Sequence, residues 1–425
     1  MAGEFDQITA GLKNAYPKSV IDAMVNEETP FRKKLKKSVP AGSRVSEAIV
    51  KFGFNFNPPQ NVGNLADGGT LPPAKDRTQD QGTLTPVIFA GAFQIGWTTR
   101  KAGNSNNAAF NGGELRRRTE ETLSNLAKFV ETSYTGTHGT GRRARVESDG
   151  SNNFVAALPE AALLLRENFY ITVRTTDGGA TVRDSLDLRK ITAINHATRT
   201  VTYDGADQTL VAGDHVHIVN ELAQTIVAPN GLRGLVDDST FASSIHGLSR
   251  STYPKLKANV AGNGGTLRNL TEQILIRASH ENRARSGKRV TDFWTGPGQV
   301  EKYIEFVAPD RRYMVKSDTD PQSMVTGYTD DKLVHVAPGV YARINLSFDI
   351  VPREMFLLNW DTFFHYVAQD MDWMDEGGML QPTPTSGAYK ASFLAYLGSI
   401  ENIGNDMPLG NTVVRDLKDP VVGDV

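Results

Sequence analysis

Apolar and polar positions alternate with a period of two along residues 45–57. Val50, Phe52, Phe54 and Phe56 fall on one side, Lys51 and Asn55 on the other. This is the pattern of a strand with one covered face. It returns over residues 83–98, where Val87, Phe89, Phe93, Ile95 and Trp97 share a face. Residues 58–82 between the two are rich in proline and glycine and show no period. A structureless connection of that length is rare inside a compact domain. The expectation is a two-stranded β-arm whose tip projects from the body. A lone hairpin is marginal in water, so its apolar face needs a cover. A neighbouring copy of the chain is the expected one, with Phe52, Phe54, Phe89, Phe93 and Trp97 as assembly contacts.

A helical period replaces the alternation over residues 114–135. Leu115, Leu123, Leu126, Val130 and Tyr134 form a core-facing stripe, with no proline among them. Gly136 follows near a C-cap position. At about 1.5 Å per residue such a helix spans about 30 Å, a suitable strut. Residues 1–40 read as a polar arm with one or two short helices between Ser19 and Lys37, punctuated by Pro30 and Pro40. Its basic stretch Phe31–Lys37 reads first as a solvated helix face backed by Phe31 and Leu35. Contact with nucleic acid or an acidic neighbour is the second reading.

Residues 136–153 read as loop. Four short strands between 169 and 227 (FYITVRT, LRKITAINHA, RTVTYDG, DHVHIVN) are separated by turns at Asp177-Gly-Gly179 and Asp204-Gly205. They predict a small inserted β-subdomain. Helices follow at 266–287 and 297–307, with strands at VTDFWTGP, 340–351, 354–367 and 388–400.

Composition narrows the function. The net charge is -2, with 46 basic and 48 acidic side chains, which argues against a dedicated nucleic-acid binder. There is no cysteine, hence no disulfide, thiol nucleophile or thiolate metal site. No apolar run approaches signal-peptide or membrane-span length. The expectation is a soluble protein that stays in the cytoplasm where it is made.

No phosphate loop, H-E-x-x-H, G-x-S-x-G or EF-hand pattern occurs. Gly136-Thr-His-Gly-Thr-Gly141 follows a helix rather than a strand, the wrong context for a dinucleotide site, and reads as a flexible loop. His215 and His217 share a strand face beside Asp214, but a third metal ligand is not evident. Exposed polar residues on a strand are the better reading. Asp370, Asp372, Asp375 and Glu376 read as a charged turn, with a calcium site as the second reading. Arg116, Arg117 and Arg118 open the long helix at the unfavourable end for cations. They read first as a solvated face, with compensation by a carboxylate or phosphate outside the helix as the second reading. Arg142, Arg143 and Arg145 lie in the loop and admit the same two readings. No residue is assigned a catalytic, cofactor or metal role.

The order of elements resembles the major capsid proteins of tailed bacteriophages, with the architecture named after the phage Hong Kong 97. Residues 41–100 look like the family's extension loop and residues 114–135 like its spine helix, with Leu115, Leu123, Leu126 and Val130 as helix core. Gly231-Leu-Arg-Gly-Leu-Val236 followed by His246-Gly-Leu-Ser-Arg-Ser-Thr-Tyr-Pro254 resembles the stretch entering the axial domain, most recognisably at Arg250 and Pro254. Val290–Thr295, Asp370–Gly378 and Ala388–Leu417 resemble later segments.

The resemblance implies an α+β fold. It comprises an N-terminal arm (1–40), an extended β-hairpin loop (41–103), a peripheral domain with the spine helix (104–168) and the inserted β-subdomain (169–227). An axial domain (228–380) and a return to the peripheral domain (381–425) complete it. It implies a non-enzymatic subunit without cofactor that self-assembles, as hexamers and pentamers, into the icosahedral head shell around double-stranded DNA. Its partners would be portal, scaffolding and cement proteins and the packaged DNA, with no membrane. Its place would be the virion, after assembly in the host bacterial cytoplasm. Some relatives begin with a long helical scaffolding region; here the hairpin begins near residue 45, so scaffolding is expected as a separate protein. Lys51 and Lys75 lie in the hairpin region, but no partner asparagine or glutamate for a subunit cross-link is matched. Two alternatives stand beside this reading: an encapsulin-like compartment shell, and, remotely, a metal-dependent hydrolase using His215 and His217.

Overall fold

The computed structural model describes residues 18–46, 48–57, 78–96, 113–183, 188–219, 226–307, 333–337, 339–374, 381–385 and 388–424. The chain forms two compact units. One comprises Met1–Ser38, Pro86–Tyr134 and His365–Asn402, the other Val39–Thr85, Thr135–Phe364 and Ile403–Val425.

In the first unit the helices α1 (Lys18–Glu28), α2 (Pro30–Lys34) and α3 (Gly113–Gly136) accompany one sheet. Its strands are β4 (Val87–Gly96), β18 (Phe363–Trp373), β19 (Gln381–Thr385) and β20 (Ala388–Asn405), and β20 pairs with each of the others. β4 runs antiparallel to β20 from Val87↔Glu401 to Gly96↔Ser392. α3 is the helix that the 114–135 period predicts. Leu123, Leu126, Ala127, Val130 and Tyr134 are buried. Phe89 of β4 meets Phe129 and Tyr134 edge-on, and a Cβ at Gly91 would stand 2.9 Å from Thr122 Cγ2. The helix therefore lies directly on the strand. In the arm, Ile21, Val25, Phe31 and Leu35 are buried.

The second unit begins with β1 (Arg44–Ser46), β2 (Ile49–Asn57) and β3 (Thr78–Leu84), a three-stranded sheet. The return strand of the hairpin is thus β3, not residues 83–98 as the alternation suggested. Pro86, which has no backbone donor, separates β3 from β4, and β4 belongs to the other sheet. Six strands then close a barrel: β5 (Arg142–Gly150), β6 (Asn153–Ala156), β7 (Tyr170–Arg174), β8 (Arg189–Asn195), β9 (Thr200–Tyr203) and β10 (His215–Val219). The inserted β-subdomain therefore starts near residue 142 rather than 169, and the stretch read as loop supplies its first strand, with the second beginning at its end. Phe154, Ile171, Val173, Ile191, Val201 and Val216 fill its core.

The rest of the second unit is built on a mixed sheet. It joins β13 (Asn259–Ala261), β14 (Asp292–Thr295), β15 (Leu333–Ala337), β16 (Val340–Leu346), β17 (Met355–Leu358) and β21 (Thr412–Val414) in the order β13-β21-β17-β14-β16-β15. Alternate residues Val340, Ala342 and Ile344 share one core with Leu275 and Ala278 of α5 (Glu272–Ser286) and Tyr303 of α6 (Pro297–Val307). A short helix α4 (Leu232–Leu235) and the hairpin β11 (Ser244–Ile245) with β12 (Leu248–Ser249) complete it. The C-terminal return to the first unit ends at Asn402. β21 instead pairs with β13 and β17 of this sheet, which corrects the expectation for residues 403–425.

Candidate functional site

The second unit carries a buried chain of charges. Arg142, at the start of β5, donates through Nη2 to Glu160 Oε1 at 2.9 Å and through Nη1 to Asp177 Oδ2 at 2.8 Å. Arg233 of α4 reaches the same Glu160 oxygen at 3.0 Å and grips both oxygens of Glu354 at 2.9 and 3.1 Å. Arg415, just after β21, donates to Asp237 at 3.0 Å. Arg233 and Arg415 each stand 4.5 Å from the centroid of the Phe241 ring, in cation–π range.

Burial raises the Glu160 carboxyl, but Arg233, Arg142 and Arg145 outweigh it and hold it at about 2. Burial likewise lowers the Arg233 guanidinium, and Glu354 and Glu160 more than reverse it. Such a network fixes the barrel strand β5 against α4 and the sheet, because breaking one member leaves an uncompensated buried charge. The phrase Gly231-Leu-Arg-Gly-Leu-Val236 also has a steric reason. A Cβ at Gly231 would stand 2.1 Å from Thr137 O, and one at Gly234 2.3 Å from His138 O. The segment 136–141 is accordingly packed rather than a flexible loop, with Thr137 and His138 buried.

Arg250 organises the following turn. Its guanidinium is buried and donates to the carbonyls of Leu256, Ala242 and Gly234 at 3.0, 2.6 and 2.5 Å. Beside it, His246 packs against Phe52 and Phe54 of the hairpin and against Phe364, at ring separations of 5.1, 6.1 and 6.1 Å. Its Nε2 accepts from Asn405 N–H at 3.2 Å, and Tyr253 donates to Asp80 of β3 at 2.6 Å. Burial first, and then Arg250, holds the His246 imidazole at about 3, so it is neutral.

The first unit has its own latch. Arg32 of α2 is buried and donates to both Glu401 oxygens, from Nε at 3.0 Å and from Nη2 at 2.9 Å. Glu131 of α3 accepts from the Phe31 and Arg32 backbone N–H groups at 2.8 and 3.3 Å. His365 Nε2 stands 3.1 Å from Glu401. Burial raises Glu401, and His365 and Arg32 bring it down to about 2. Asp370, in β18 rather than in a turn, pairs with both Lys18 and Lys37. Hydrogen bonds from these two hold it at about 2. Asp375 and Glu376 lie outside the described residues.

His138 Nε2 faces both Asp177 Oδ2, at 2.6 Å, and Thr140 Oγ1, at 3.0 Å. Both partners share one ring nitrogen, so no proton relay runs through the imidazole. His217 is fully buried in the barrel, not on an exposed strand face. Burial keeps it at about 4, and neither ring nitrogen has a partner among the described residues. Among the described residues no three His, Asp or Glu side chains converge as metal ligands. Arg142 and Arg143 are buried strand residues, not loop. Among the described residues no helix is long and apolar enough to cross a membrane.

The whole arrangement has a structural counterpart. A chain of the cyanophage A-1(L) capsid asymmetric unit matches with a TM-score of 0.51 and 12% identity, covering 92% of this chain and 93% of that one. The fold is that of a phage capsid protein. Gordonia phage Cozz gives a TM-score of 0.40 at 10% identity over 93% of this chain and 86% of that one. A virus-like particle from Pyrococcus furiosus gives 0.35 at 9% identity over 93% and 96%. No protein-family model and no curated protein sequence matches the chain.

Within this capsid fold the residues expected as assembly contacts divide. Phe52 and Phe54 are buried by His246 and Phe364, and Phe89 and Phe93 by the first unit's own aromatic residues. The cover expected from a neighbour is supplied by the chain itself. Trp97 and the side chain of Leu115 lie outside the described residues. Leu123, Leu126 and Val130 are buried in α3. The sequence reading missed Arg32, Glu160, Arg233 and Glu354. Their charged partners lie from 15 to 369 positions away, and only a buried charge type could have hinted at them.

Proposed function

We propose that this chain is the major capsid protein of a tailed bacteriophage, a structural subunit that self-assembles into an icosahedral head around double-stranded DNA. The observation that carries the reading is the capsid fold shared with the cyanophage chain across 92% of this one. It is an argument from fold, and function follows from fold by analogy. Buried ion pairs that orient packed elements suit a subunit whose work is to hold a shape. Portal, scaffolding and cement proteins are its proposed partners, hexamers and pentamers its proposed capsomers. Its proposed location is the virion, after assembly in the bacterial cytoplasm.

The content of native particles tests this reading. Nuclease-resistant double-stranded DNA inside particles built from this chain is the expected result. Particles filled with a cargo enzyme and no DNA would assign it to a compartment shell instead.

A further inference from the structure

The C-terminal end of α5 carries a concentration of cations that the fold does not consume. Arg283, Arg285, Lys288 and Arg289 are exposed, and no acidic residue occurs between Asn282 and Thr291. The Lys288 stem lies over the turn Pro408–Gly410: a Cβ at Gly410 would stand 3.6 Å from Lys288 Cγ. Asn282 Nδ2 donates to Gly410 O at 2.9 Å in the same place. The turn Pro254–Leu256 packs against Pro408–Gly410 as well, and it brings exposed Lys255 and half-buried Lys257. None of these six cations forms an ion pair with a described residue. The nearby acids are otherwise engaged or few. Glu281 pairs with Arg277 at 3.0 Å and is also acted on electrostatically by Arg285, and Lys288 acts on Asp406 in the same way.

The helix dipole favours cations in the last turn, which accounts for Arg283 and Arg285. It does not reach Lys288 and Arg289, which follow the left-handed Gly287 cap (φ 72°). Arg283, Arg285, Lys288 and Arg289 follow within seven residues of chain, and Lys288 shares the turn Pro408–Gly410 with the segment that carries Lys255 and Lys257; such like charges repel one another, in a chain whose net charge is only -2. A local departure of that kind, without a structural partner, fits a polyanion.

We propose that this patch, centred on Arg285, Lys288 and Arg289, is where the subunit contacts the phosphate backbone of duplex DNA, without sequence preference. The choice of DNA among polyanions rests on the shell reading above.

Fluorescence anisotropy of the full chain with a random-sequence 30-base-pair duplex, from 50 to 300 mM salt, tests it. The wild type should bind with a steep salt dependence, since each phosphate contact contributes about 0.9 to the log–log slope. Arg285→Gln/Lys288→Gln/Arg289→Gln should weaken binding at least about tenfold at 50 mM salt and flatten the slope by about 2.7. Arg44→Gln/Lys51→Gln/Lys128→Gln removes the same charge from exposed positions elsewhere and should leave both unchanged. Equal binding by the first variant, equal loss in the second, or a wild type that ignores DNA but binds polyglutamate would each overturn the proposal. Electron microscopy of the same preparations keeps the two readings apart. Shells without DNA affinity overturn this inference alone, and DNA affinity without shells overturns the shell reading alone.

Discussion

Glu160 holds two buried arginines within 3.0 Å and a third, partly exposed, at 3.7 Å. Glu160→Gln keeps the shape and removes the charge, which leaves Arg142 and Arg233 short of a buried counter-ion. Losses on breaking such pairs are about 3–5 kcal/mol. Urea unfolding should show a loss of that order, and a change below about 1 kcal/mol would mean the network is not structural.

The buried histidines set a pH dependence of the same sign as the carboxylates. His217 and His335 are held by burial at about 4 and His246 at about 3, all below the unfolded value of about 6.5. The unfolded chain therefore binds more protons below that pH. Stability is full above about pH 6.5 and is lost as pH falls through the folded values. Glu160 and Glu401, at about 2, extend the loss below pH 4.5. His217 donates and accepts nothing among the described residues. His217→Leu should therefore retain stability at pH 7.5 and flatten the decline between pH 6.5 and 4. An unchanged decline would show that this ring does not titrate on unfolding.

At the scale of elements, α3 was the most legible feature. Its apolar stripe needs no partner information, and Leu126 sits in the middle of it, 5% exposed. Leu126→Ala should cost about 2–5 kcal/mol. Arg117→Ala, at an exposed position 3.7 Å from Glu121, should fold like the wild type. Soluble yield and circular dichroism compare the two, and equal behaviour would remove α3 from the core.

Strand faces were legible where strand pairing was not. The alternation of β2 and β4 placed Phe52 and Phe89 on covered faces, as found. It could not reveal β3, because TQDQGTL carries no apolar period: its one large apolar side chain, Leu84, is buried at the end of the strand. β5 was hidden for a different reason. Arg-Arg-Ala-Arg reads as solvated, and Arg142 goes inside only because Glu160 and Asp177 are there to meet it. The aromatic base of the hairpin was half legible: its phenylalanines stood out, whereas His246 did not.

At the scale of the molecule, the fold of a capsid subunit accounts for a chain with no cysteine, near-zero net charge and buried charge networks in both units. Since the aromatic base of the hairpin is covered internally, the proposed lattice contacts move to residues 58–77. Replacing those residues with a short Gly-Ser linker should spare folding, read by circular dichroism, and abolish closed shells. Normal shells from that variant would show that the segment makes no essential lattice contact.

The central claim is self-assembly, and electron microscopy of the purified full chain across a concentration series tests it most directly. The account predicts capsomers of five and six copies that close into shells of uniform diameter. A chain that stays monomeric at every concentration, or that grows only into open filaments, would contradict it.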